Sequence, residues 1–181
     1  MSTYRRAHDG NTYFFTIVTY QRQPILCLEQ SRGALREAIV ETRKAYPFSI
    51  AAWVLLPDHL HCIWELPEGD TDYSTRWSLI KRGFTRSVRE CISLPEATMS
   101  RSKHRESTVW QRRFWEHRIH DDRDFAAHCD YIHYNPVKHG LVSSACDWPF
   151  STFRRMVGSG MYPDDWCRSQ PPDVSDLIAG E

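Results

Sequence analysis

Residues 53–64, Trp53-Val54-Leu55-Leu56-Pro57-Asp58-His59-Leu60-His61-Cys62-Ile63-Trp64, decide the fold of this 181-residue chain. Two apolar, β-rich runs flank Pro57-Asp58, a pair suited to a tight turn, so the stretch reads as two strands joined there. Strand side chains alternate between faces, so His59 and His61 point one way while Leu60 points into the core. Two imidazoles on one face make half of a divalent-metal site. Further along, Asp130-Tyr131-Ile132-His133-Tyr134-Asn135-Pro136 places Tyr131 and Asn135 one turn apart near the end of a predicted helix. Metal-binding histidines with a helical tyrosine suggest phosphodiester chemistry with tyrosine as nucleophile.

Outward from this stretch, Thr12–Tyr20 is β-branched and aromatic and reads as a strand. A helix is expected over Ser31–Ala45, with Leu35, Ala38, Ile39 and Thr42 on one side. Strands follow at about Ser49–Leu56 and His59–Leu66, then a helix over Ser74–Ile92 with Trp77, Ile80, Phe84 and Val88 as its apolar stripe. Residues 94–108 read as a polar loop, and a short strand is expected around Phe114–Ile119. A third helix, capped by Asp121 or Asp122, is expected to end at Asn135, before Pro136. The order β-α-β-β-α-β-α predicts an α+β domain, an antiparallel sheet with helices packed mainly on one face. One domain is expected over residues 1–162, with an acidic tail over 163–181.

With 41% apolar residues the chain can build one core. Net charge is zero, but unevenly spread. From Tyr73 to Arg118 eleven basic residues face four acidic ones, a footprint for a polyanion; a solvated helix face is the plainer reading. Beyond Pro163 five acids face Arg168 alone, and this tail could either compete with a polyanion for the basic segment or stay clear of it. The six cysteines show no CxxC pair. The N-terminus has no apolar leader, and no run approaches the ~18 apolar residues of a membrane span. The expectation is therefore a cytoplasmic protein without membrane contact.

On the third helix Phe125, Cys129, Ile132 and Pro136 face the core at ~100° per residue, and Asp124, His128, Tyr131 and Asn135 form the adjoining stripe. Tyr134 is rotated away from it. Each element has a plainer alternative. A lone His-x-His is common, a boundary tyrosine is usually there for its ring, and His117, His120, His128, His133 and His139 are rival imidazoles.

Several motifs together resemble one family. They are Trp53 to Trp64, Phe114-Trp115-Glu116-His117, Tyr131 through Asn135-Pro136-Val137-Lys138-His139-Gly140-Leu141-Val142, and Asp147-Trp148-Pro149-Phe150-Ser151-Thr152. Over about Tyr4 to Trp166 the chain resembles the single-tyrosine HUH transposases and, among them, the REP-associated tyrosine transposases, linked to repetitive extragenic palindromes. The resemblance implies a ferredoxin-like HUH fold, His59 and His61 as the metal-binding pair, and Tyr131 as nucleophile. Asn135 stands where relatives carry a glutamine ligand, keeping an amide oxygen on a shorter arm. The implied cofactor is Mg²⁺ or Mn²⁺, the second suited to two imidazoles. The implied partner is single-stranded or hairpin DNA, cut through a 5′-phosphotyrosine link that leaves a free 3′-OH. Arg5, Arg6, Arg76, Lys81, Arg82, Arg86, Arg112, Arg113 and Lys138 are the expected phosphate contacts, and Tyr4, Trp110 and Trp115 are candidate stacking platforms for unpaired bases. A monomer associated with the nucleoid is expected, with a dimer as the alternative. Two rival readings remain: a DNA-binding architectural or regulatory protein without cleavage, and a histidine-triad nucleotide hydrolase, whose third histidine is here Ile63.

Overall fold

The run Thr12–Val18 forms β1, and the two strands around Pro57-Asp58 form β2 (Ser49–Leu55) and β3 (His59–Glu65). A short β4 (Trp115–Arg118) completes an antiparallel sheet in the order β2-β3-β1-β4. The computed structural model describes residues 11–94, 98, 99, 103, 107–163 and 166. Arg5, Arg6, Tyr4 and most of the expected acidic tail lie outside the described residues.

The β2–β3 turn is fastened twice. Leu56 N–H donates to the His59 carbonyl at 2.9 Å, and the N–H and hydroxyl of Thr19 both donate to the Asp58 carbonyl at 2.9 Å. That clamp fixes where His59 enters the sheet.

β1 and β3 lie at the sheet's centre and bury side chains on both faces. Helices α1 (Glu29–Ala45) and α2 (Tyr73–Val88) cover the face carrying Tyr13, Phe15, Ile17, Leu60, Cys62 and Trp64. Trp64 stacks on Trp77 at 4.1 Å between ring centroids. The two helices approach closely at Gly83, where a Cβ would stand 3.2 Å from that of Ala38. The opposite face, with Phe14, Ala52, Val54 and Ile63, packs against α3 (Asp122–Lys138) and the short α4 (Phe153–Gly158). Among the described residues, two of the three long helices thus share one face, as expected. The third is needed because the alternating strands leave a second apolar face that must also be covered.

α3 departs from expectation at its end. The Asp121 carboxylate caps its start, accepting from Asp124 N–H at 2.8 Å. The helix then runs through Pro136 to Lys138 rather than stopping at Asn135. Proline forfeits one backbone bond here, and the last turn is closed by Gly140 N–H to the Val137 carbonyl and Leu141 N–H to the Pro136 carbonyl, both 2.9 Å. This is a Schellman ending, with Gly140 supplying the positive φ of 66° it requires. The extra turn brings Lys138 and His139 over the sheet.

Trp166 packs on Tyr162 and Phe153, with ring centroids 4.5 and 5.4 Å apart, so the folded body reaches that residue. The described cysteines Cys27, Cys62, Cys91, Cys129 and Cys146 are free thiols. No helix among the described residues is long and apolar enough to cross a membrane.

His133 is buried under the C-terminal segment, with Nδ1 3.2 Å from the Tyr162 hydroxyl and Nε2 2.9 Å from the Thr152 hydroxyl. Burial and the charge of Arg155 push its pKa down to about 3. An unfolded histidine titrates near ~6.5, so as pH falls below that value the unfolded chain takes up a proton that the folded chain refuses. Stability is therefore expected to fall between pH 7 and pH 5, with His133 contributing at most about 1.4 kcal/mol per pH unit. His128, also lowered by burial, acts in the same direction. His133→Gln should flatten the dependence of Tm on pH in that window, and an unaltered slope would remove His133 as its source.

Candidate active site

The stripe Asp124, His128, Tyr131 and Asn135 of α3 lies over the sheet face that carries His59 and His61. The rings of His59 and His61 are 4.9 Å apart, and His61 meets the Tyr131 ring edge-on at 5.1 Å. Phe14 fills the floor between them, 5.7 Å from His61 and 5.9 Å from Tyr131. Two turns along α3, His139 lies 5.1 Å from His59. Asn135, midway between Tyr131 and His139 on the helix, is thereby set over the histidine pair. Tyr134 lies off this stripe. Lys138 places its ammonium 5.2 Å from the centre of the Tyr131 ring.

Each histidine is oriented from behind. His59 Nδ1 lies 2.6 Å from Asp58 Oδ1, and Arg22 holds the other carboxylate oxygen at 3.2 Å. Burial alone would raise the Asp58 pKa, but the hydrogen bonds and charges of His59 and Arg22 outweigh it and hold the carboxyl at about 2. A carboxylate on Nδ1 fixes the proton there and turns the Nε2 lone pair inward. His61 Nδ1 lies 2.9 Å from the Thr16 hydroxyl, which directs its Nε2 the same way.

The donor set fits a divalent cation. His59 Nε2 is buried without a hydrogen bond, and neither end of the buried Asn135 amide has one. Each such orphaned group costs roughly 1–3 kcal/mol, and a bound cation would offset that cost at the two lone-pair atoms, His59 Nε2 and Asn135 Oδ1. His59, His61 and Asn135 offer two nitrogens and one oxygen, suited to Mn²⁺ and compatible with Mg²⁺.

The expected phosphate contacts separate into groups. Lys81, Arg82, Arg86 and Arg112 gather round one cleft of about 760 Å³, joined there by Arg89. Burial pushes the Lys81 pKa down to about 8. Arg113 lines a second, smaller cleft with Arg22, Trp115 and His59, and Gln111 borders both clefts. A basic track thus leads round the end of β1 to the histidines.

Two expectations are corrected. Arg76 is not a nucleic-acid contact: it is buried, paired with the Asp70 carboxylate at 2.7 and 3.1 Å and bonded to the carbonyls of Asp72 and Pro47. Its guanidinium has folded back to tie α2 to the loop before it. Trp110 is no free platform either, because its ring is buried against Phe84 at 5.0 Å. Trp115 is 39% exposed and can stack. Sequence reasoning missed Arg22 and Thr16, both brought in by the fold, and carried His139 only as one of several rival imidazoles. Asp58 carried a signal, since it directly precedes the first histidine.

Residues 8–135 match the family of IS200-like transposases. A REP-associated tyrosine transposase of Escherichia coli (strain K12) is 46% identical over 182 residues, covering all of this chain and 98% of that protein. A relative from Haemophilus influenzae is 47% identical over 168 residues, covering 92% of this chain and 93% of its own. The solved structure of a REP-associated tyrosine transposase bound to a REP hairpin superposes with a TM-score of 0.75 at 45% identity, over all of this chain and 98% of that one.

Asp58→Ala is expected to leave the turn intact, since Thr19 holds the Asp58 backbone carbonyl. It should weaken Mn²⁺ binding by about 10- to 100-fold, the usual effect of removing a residue that orients a ligand. Titration of Mn²⁺ against the full chain measures this, and equal affinity in the two proteins would show that Asp58 does not orient the site.

Proposed function

This chain belongs to the IS200-like transposase family, enzymes that cleave and rejoin DNA, and we propose that it cuts single-stranded DNA beside a hairpin through a covalent bond to Tyr131. The observation that carries the reading is the Tyr131 ring set against His61, on a site whose His59 nitrogen and Asn135 oxygen are buried and unsatisfied. The hairpin as substrate class rests on the related transposase solved with a REP hairpin.

In the proposed reaction the Tyr131 hydroxyl oxygen attacks phosphorus in line. The new Oη–P bond forms as the P–O3′ bond breaks, and the phenol's proton ends on the departing 3′ oxygen. The products are a 5′-phosphotyrosine and a free 3′-OH. Attack by a 3′-OH on the phosphotyrosine reverses the step and rejoins strands without an external energy source. When held by His59, His61 and Asn135, a Mg²⁺ or Mn²⁺ ion supplies Lewis-acid polarisation of the scissile phosphate.

The chain's own residues supply the rest. The Lys138 ammonium, over the Tyr131 ring, stabilises negative charge as the phenol loses its proton. Arg22 and Arg113, beside His59, are placed to hold the scissile phosphate. Lys81, Arg82, Arg86 and Arg112 track the flanking backbone, positioning it without reading bases. Trp115 offers an exposed ring to an unpaired base.

Incubating the protein with hairpin DNA carrying a single-stranded flank and Mn²⁺, then separating products on a denaturing gel, tests the reading. Covalent adducts are expected from the wild-type chain and from Tyr134→Phe, and none from Tyr131→Phe, which should still bind the DNA. Adducts from Tyr131→Phe would assign the nucleophile elsewhere, and none from any variant would favour a DNA-binding protein without cleavage. Lys138→Gln should slow adduct formation about fivefold, equivalent to ~1 kcal/mol of lost cation–ring stabilisation, while Lys138→Arg retains most of the rate.

A further inference from the structure

A second imidazole cluster occupies the same face of the sheet, apart from the His59/His61 pair. In the β-ladders His61 lies opposite Thr16, whereas His117 lies opposite Phe14 on the far side of β1. Two strand spacings across and two residues along put the clusters on the order of 12 Å apart. One ion cannot serve both, and the separation greatly exceeds the ~4 Å of a two-metal catalytic pair.

The second cluster consists of His117 on β4, His120 in the connection to α3, and Asp124 in the first turn of that helix. One ligand atom from each lies within 4.8 Å of the others. His117 Nε2 is 2.9 Å from Asp124 Oδ2, a separation that either a shared proton or a cation bound to both atoms produces. The His120 backbone N–H donates to the same oxygen at 2.9 Å, which brings its ring to the cluster, 5.5 Å from that of His117. His120 is exposed.

The surroundings have the character of an outer coordination shell. His128 is buried, with Nδ1 2.9 Å from Asp124 Oδ1, and its ring stacks on His117 at 4.6 Å and 15°. It therefore orients the carboxylate and one imidazole together.

We propose that His117, His120 and Asp124 form a second divalent-cation site, separate from the His59/His61 site and selective for a nitrogen-seeking ion of the Zn²⁺ class. Two imidazoles and one carboxylate are a common set for such ions, with solvent completing the coordination. Its role is mechanical. Among the described residues β4 is a four-residue edge strand, and the ion ties it to the first turn of the helix that carries Tyr131 two turns later. The site does not depend on DNA cleavage.

The test counts Zn²⁺ bound to the full chain by isothermal titration, with thermal unfolding measured in parallel. The double variant His59→Ala/His61→Ala should retain one Zn²⁺ and a Tm that rises when Zn²⁺ is added. Adding His120→Ala, an exposed substitution that spares the fold, should weaken that site by more than about 100-fold, beyond the loss expected for a residue that merely orients a ligand. The Zn²⁺-dependent rise in Tm should vanish with it. Asp124→Asn should have the same effect, its amide still accepting from the His120 N–H. Co²⁺ in place of Zn²⁺ should give a spectrum of nitrogen and oxygen ligands without thiolate absorption. A double variant that binds no Zn²⁺, or one whose binding survives His120→Ala or shows thiolate absorption, would overturn the proposal. Loss of Zn²⁺ only with His59 and His61 would do the same while leaving the proposed active site standing.

Discussion

β1 pairs with β3 so that Thr16 faces His61 and Val18 faces His59, and the site exists only in that register. Alternation then sends Phe15, Ile17, Leu60, Cys62 and Trp64 to α1 and α2, and Phe14, Thr16, His59 and His61 to α3. A slip of one residue would exchange the faces, driving two imidazoles into an aromatic core and leaving Trp64 beneath Tyr131. Burying one large apolar side chain is worth roughly 1.5–3 kcal/mol, so misplacing several at once is prohibitive. The same packing that folds the sheet therefore positions the chemistry.

The register is reinforced where it matters most. Gln21 and Arg22 take left-handed backbone angles, φ 55° and 50°, that side-chain-bearing residues adopt at a cost of order 1 kcal/mol each. The cost is offset around them: Thr19 binds the carbonyls of Asp58 and Gln23, and the Gln23 amide donates to the Tyr20 and Thr108 carbonyls. The result is an Arg22–Asp58–His59 relay from solvent to the buried imidazole. One strained loop thus serves as both the lock on the β2–β3 turn and the orienting shell of a histidine.

How much of this was legible in the sequence follows from the range of each interaction. The faces of His59, His61, Tyr131 and Asn135 depend on strand and helix periodicity, which short windows contain, and the structure brings His61 and Tyr131 together as the wheel places them. Arg76 was misread because a basic residue on a helix looks alike whether its guanidinium reaches water or folds back onto Asp70, Asp72 and Pro47. Trp110 was misread because nothing local signals that α2 will cover it. The extension past Pro136 depended on Gly140, four residues on, closing the helix. Arg22 was beyond reach, since its pairing with Asp58 joins segments distant in the chain, whereas His117, His120 and Asp124 are close in sequence, and the two histidines were read only as rival imidazoles because the bend that gathers them at the start of α3 has no periodic signature.

Reversible strand transfer, as proposed here, demands that the tyrosine oxygen occupy one position for both the outward and the returning attack, and a displacement of even an ångström is costly in rate. A helix of seventeen residues meets that demand only if it cannot pivot. α3 is fixed at its start by the Asp121 cap and by Asp124 reaching His117 and the His120 backbone. It is fixed at its end by the paired backbone bonds around Gly140, and in the middle by Phe125, Cys129 and Ile132 in the core. Tyr131 lies between these anchors, its ring held on Phe14 and His61. The mount is therefore stiff where, in the proposed reaction, the tyrosine oxygen must return to the same place.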